Sequence, residues 1–149
     1  MGLRGMKLVQ VIVVCVVLLG CAQSALAVEL VSAGQSDYQI VLNAEASPSE
    51  QAAAEELQTY LKDCTGAELP VVTALPAEGT PMIVLGRGPV ATSLGVSPSS
   101  EELGEQGYVM RTVGPHLVIA GTPAAGTMYG VYDFVEEFLG VRWYAPGVT

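Results

Sequence analysis

The stretch SPSEQAAAEELQTYLKDCTG, residues 47–66, decides how the rest of the chain is read. Ser47 is a good helix N-cap, Pro48 suits the first helical position, and Glu50 three residues after Ser47 completes a capping box. Ala53, Ala54, Leu57, Tyr60, Leu61 and Cys64 recur at three- and four-residue spacing and give one apolar stripe. Gly66 supplies a left-handed stop. A helix with a single apolar face must be laid against something, and the flanking sequence supplies strands.

Before this helix, Val28–Val31 and Tyr38–Leu42 read as strands, parted by the turn-formers Ser36 and Asp37. After it, Leu69–Val72 and Met82–Leu85 are apolar runs bounded by Pro and Gly. A helical turn at Pro89–Leu94 and a Ser/Glu-rich connection follow. Gly107–Val113 and His116–Ala120 flank Gly114-Pro115 as a β-hairpin. Thr122 and Pro123 open a second long helix, with Met128, Val131, Tyr132, Val135, Phe138 and Leu139 on its buried face and Gly140 as its end. Val141–Tyr144 reads as a closing strand. This order implies an α+β fold: a small sheet, mainly antiparallel or mixed, with two long helices packed on one face.

The N-terminus reads as an export signal. Arg4 and Lys7 form a positive n-region, Leu8–Leu19 is apolar apart from Gln10, and Ala25-Leu26-Ala27 is a small-x-small cleavage pattern placing the cut between Ala27 and Val28. The apolar run is about a dozen residues, against the roughly 20 needed to span a bilayer. A second route competes: Leu18-Leu19-Gly20-Cys21 resembles a bacterial lipobox, although Leu19 stands where a small residue is usual, and would lipidate Cys21. The protein is therefore expected to be exported, periplasmic or extracellular, and membrane-bound only if Cys21 is lipidated.

Removing residues 1–27 leaves 122, enough for one domain. Four Lys and Arg then face fifteen Asp and Glu, a net charge of −11, which repels phosphate backbones and argues against nucleic-acid binding. Cys64 alone survives cleavage, so no internal disulfide can form and the fold must rest on its core.

Candidate chemistry is sparse. Gly121-Thr-Pro-Ala-Ala-Gly126-Thr127 has the glycine spacing of a P-loop, but Thr127 stands where that loop needs Lys, and Pro123 removes an amide donor. It reads as a helix start with Gly126 packed closely on the sheet. Gly86-Arg87-Gly88 follows a strand without the third glycine of a dinucleotide fingerprint and reads as a tight turn. The carboxylate pairs Glu55-Glu56, Glu101-Glu102 and Glu136-Glu137 are neighbours on helices or connections rather than acids facing each other across a cleft. Asp133 and Glu137, at i and i+4, read as a solvated face. His116 is the one histidine, at the start of a hairpin strand, and cannot build a His-rich metal site. Cys64 reads as a small core residue. Neither cofactor-binding nor metal-binding residues are expected. Among the aromatic residues, Tyr132 and Phe138 read as core. Trp143 and Tyr144, adjacent in a strand, should face opposite ways, leaving one outward for another domain or a sugar ring.

Several blocks together carry a resemblance: Ala53-Ala-Glu-Glu-Leu57 through Tyr60-Leu61, Thr65-Gly66-Ala67, Leu69-Pro70-Val71, Gly107-Tyr-Val-Met-Arg111, and Leu117-Val-Ile-Ala-Gly121. Gly126-Thr-Met-Tyr-Gly-Val-Tyr-Asp-Phe134 and Leu139-Gly-Val-Arg-Trp-Tyr144 complete it. Nearly the whole of the chain after residue 27 resembles the N-terminal accessory domain of large glycoside hydrolases: bacterial α-glucuronidases, β-N-acetylhexosaminidases and related exported proteins. The resemblance implies a small sheet with helices on one face at 28–145, then a linker beginning at 146–149 and a (β/α)8 barrel that holds the catalytic acids and meets the polysaccharide. No catalytic residue of that family falls on any position of this chain. The expected role is that of a domain catalytically silent by itself. The alternative is a free-standing surface carbohydrate-binding lipoprotein.

Overall fold

The computed structural model describes residues 28–144. The expected signal (1–27, with Cys21 and Ala27) and the linker at 146–149 lie outside the described residues. Five strands form one sheet: β1 (Gln39–Leu42), β2 (Val71–Val72), β3 (Met82–Leu85), β4 (Tyr108–Val113) and β5 (His116–Gly121). Their spatial order is β2-β1-β3-β5-β4. The helices are α1 (Pro48–Thr65), α2 (Pro89–Ser93), α3 (Ser100–Leu103) and α4 (Gly126–Leu139).

The α+β class and mixed sheet hold, whereas the mainly antiparallel alternative does not. β2, β1, β3 and β5 run parallel, and only β4 is antiparallel, paired with β5 across the Gly114-Pro115 turn. The reason is the connections. A two-residue turn returns a strand antiparallel, but an 18-residue helix between β1 and β2 carries the chain back to start in the same direction.

Strand alternation gives the sheet two apolar faces. Ile40, Ile83 and Leu117 lie abreast, as do Leu42, Leu85 and Ile119, and both rows meet Ala53, Ala54, Leu57 and Leu61 of α1 and Val131, Phe134 and Val135 of α4. Both long helices thus pack on one face. On the other, Val41, Val84 and Val118 meet Ala91 of α2 and Val96.

Helix α1 is built as its sequence implies. Ser47 Oγ accepts from the Glu50 amide, the Glu50 carboxylate accepts from the Ser47 amide, and Gly66 closes the helix at φ 80°. Cys64, however, is exposed. The buried stripe ends at Leu61, and the chain returns beneath it with Ala67 and Leu69, leaving Cys64 nothing to pack against.

Five further readings are corrected. Val28–Val31 is not a strand: Val28, Leu30 and Val31 pack on the core, and the small bridge that follows them joins Ser32 to Gln35. Helix α4 begins at Gly126, not Thr122, because the Thr122 hydroxyl accepts from the Gly126 amide and holds 123–125 as a turn. Its buried face is Gly126, Thr127, Gly130, Val131, Phe134 and Val135, so Phe134 is core and Phe138 is 60 % exposed. Val141–Tyr144 is not a strand, since the left-handed Gly140 turns the chain back and the Val141 amide bonds to the Val135 carbonyl. The Ser/Glu-rich connection contains α3, with its own capping box from Ser99 to Glu102.

Candidate functional site

The residues singled out for contact, Trp143 and Tyr144, lie just past α4 at the surface of the helical layer. Both are outward, not one: Trp143 is 41 % exposed and Tyr144 78 %. The reason is that the segment is not a strand, so alternation does not apply.

Trp143 is nonetheless fixed in place. Its ring meets Tyr60 of α1 edge-on at 5.8 Å between centroids and Tyr132 of α4 at 5.3 Å. Its Nε1–H donates to Tyr60 Oη at 2.9 Å. Two aromatic edges and a hydrogen bond thus hold one indole over the seam between the two long helices. Tyr132 is half-buried here, and burial first, then Glu56 and Tyr60, pushes its phenol pKa upward. Arg142 holds the same segment by donating to the Glu136 carbonyl at 2.9 Å and pairing with its carboxylate at 3.2 Å. The arrangement is an ordered, partly exposed aromatic platform, which suits contact with a protein surface or a sugar ring rather than bond-breaking.

The other candidates have structural employment. His116 Nδ1 accepts from the Met82 amide at 3.2 Å, tying β5 to the start of β3. Thr127 is buried and its Oγ1 accepts from the Gly121 amide at 3.2 Å. A Cβ at Gly121 would collide with the Gly126–Thr127 backbone, and one at Gly126 with the Gly107 carbonyl, so this loop is a close-packed strand-to-helix crossing. Glu102 caps α3, and the hydrogen bonds from Ser99 lower its pKa. Asp133 accepts from the Tyr108 hydroxyl. Among the described residues, no group of three or more His, Cys, Asp and Glu is placed to hold a metal ion.

Residues 28–134 match the family model described as the glycosyl hydrolase family 67 N-terminus. The chain belongs to this family. It is the α-glucuronidase side of the resemblance, and it makes this a glycosidase-associated domain. No curated protein matches the chain. Among solved structures, a family GH115 4-O-methyl-α-glucuronidase with specificity for decorated arabinogalactans aligns over 70 % of this chain, with a TM-score of 0.56 and 19 % identity. At that identity the likeness shows the fold alone. This chain spans 14 % of the length of that one.

Proposed function

We propose that this chain is the non-catalytic N-terminal domain of an exported glycoside hydrolase of the α-glucuronidase type, acting in polysaccharide breakdown through a C-terminal (β/α)8 barrel in the same protein. The family match over residues 28–134 carries the reading. The fixed aromatic platform at Trp143 lies next to the place where the chain would pass to that barrel, so Trp143 and Tyr144 are assigned to the interdomain contact. On this reading the signal at 1–27 serves the catalytic domain, with release at Ala27 or anchoring at Cys21.

The test is an assay of the purified chain with aryl glucuronides and aryl N-acetylglucosaminides. Silence on both is expected, and turnover of either would overturn the reading. Sequencing the gene past Thr149 should show several hundred codons of alternating strand and helix pattern. The exposure of Tyr144 and Trp143 favours one rival, a surface carbohydrate-binding lipoprotein. Oligosaccharide titration that moves the tryptophan fluorescence, with a stop codon soon after Thr149, would establish that rival instead. Mass spectrometry of the mature N-terminus separates Val28 from a lipidated Cys21.

A further inference from the structure

Phe138 follows Phe134 by one turn of α4, and the two rings meet at 5.1 Å between centroids. Phe134 is buried, but Phe138 is exposed. The core between the helices and the sheet therefore closes over the first ring and not the second. What lies beyond is an apolar groove of about 610 Å³. Leu61 of α1, Met110 of β4, Leu117 of β5 and the two phenylalanines line it, and Val28, Leu30 and Val31 form its remaining wall. Met110, Leu139 and these three wall residues pack on the core while staying only half-buried. Thr65, Arg111 and Thr112 are the polar residues of the lining, the last two exposed. A contiguous apolar opening with a polar rim marks a contact site, whereas single exposed apolar residues do not.

The surroundings indicate what covers it. Six large apolar residues are exposed among the described residues, and four of them, Tyr129, Phe138, Trp143 and Tyr144, lie on α4 or in the five residues after it. The chain runs on from the same place, since Leu139 both ends α4 and lines the groove. The family is an N-terminus, and this chain spans only 14 % of the similar α-glucuronidase structure. A second copy is the poorer fit. Two free proteins need about 1,200–2,000 Å² of buried surface to associate stably, and an opening of this size admits only a few side chains. A domain tethered to α4 needs much less, because its effective concentration at the groove is on the order of mM.

We propose that the groove is a socket for apolar side chains of the domain that follows in the same protein, which complete the core beside Phe138 and fix the orientation of the two domains. This rests on the accessory-domain reading and adds a second contact to that of Trp143 and Tyr144, made by α4, the β4–β5 hairpin and Val28–Val31.

The test is hydroxyl-radical footprinting of the product of the gene read past Thr149, beside the chain ended at Thr149. Met110 and Phe138 should oxidise roughly fivefold more slowly in the longer protein, as side chains at the centre of an interface do. Phe138→Asp puts an unpaired carboxylate into the socket, and should return the Met110 rate of the longer protein to within about twofold of that in the short chain. Equal rates at Met110 and Phe138 in the two wild-type proteins would overturn the socket and leave the accessory-domain reading standing. A stop codon soon after Thr149 would overturn both. Protection that appears in the short chain as its concentration rises would identify a second copy as the occupant and overturn the proposal. If Phe138→Asp does not fold, the comparison of the two wild-type proteins decides alone.

Discussion

Trp143 donates its indole N–H to the phenol oxygen of Tyr60, 83 residues earlier, so the segment after α4 is tied to the second half of α1. Trp143→Ala removes this bond and two edge-on aromatic contacts. Because the ring is partly exposed, the expected loss is about 1–2 kcal/mol. Tyr60→Phe should lose at most about 1 kcal/mol, since the freed N–H can turn to water. Urea denaturation of the two variants checks the order.

Tyr108 carries the largest titration shift among the described residues. Its hydrogen bond to Asp133, followed by burial and the charges of Asp133 and Glu137, pushes its pKa up to about 12. The folded state therefore holds the phenol proton more tightly than the unfolded chain does. This contribution to stability is complete below pH 10 and is lost as pH rises from 10 to about 12. Phenolate absorbance, taken as the difference between wild type and Tyr108→Phe, should show that midpoint. Asp133→Asn should move it back towards 10.

Gly130 places α4 directly on the sheet. A Cβ there would lie 2.5 Å from Ile119 Cγ2 and 2.8 Å from the Tyr108 ring. Alanine is the better helix former by about 1 kcal/mol, yet both neighbours are packed and neither can retreat freely. Gly130→Ala should therefore destabilise by about 1–3 kcal/mol. A thermal midpoint at or above wild type would contradict this packing.

The two capping boxes should differ in weight. Ser47 caps the long buried α1 and also donates to the Pro123 carbonyl at 2.6 Å, so Ser47→Ala should cost about 1–2 kcal/mol. Ser99 caps the exposed single turn α3, and Ser99→Ala should change global stability by no more than about 0.5 kcal/mol. Denaturant midpoints of both variants decide this.

Local chemistry made much of this protein legible in its sequence. The Ser47–Glu50 box, the Leu57–Leu61 stripe and Gly66 define α1 through contacts within a few residues, and Gly114-Pro115 defines the hairpin in the same way. Family membership was also legible, from blocks such as Gly126-Thr-Met-Tyr-Gly-Val-Tyr-Asp-Phe134, which lies within the residues that the family model matches. The Ser99–Glu102 box would have revealed α3, but its flanking acids read as a connection. What depended on distant partners was not legible. Strand direction follows from where α1 leaves its end relative to β1. The inward face of α4 is set by Thr127 and Gly130, which are small and polar enough to escape a hydropathy reading, and that choice buries Phe134 and exposes Phe138. Trp143 finds Tyr60 and Tyr132 only because two helices lie side by side. Local sequence determines elements through short-range hydrogen bonds and periodicity; tertiary structure decides which surfaces meet, since only the packed core places residues far apart in sequence within contact distance.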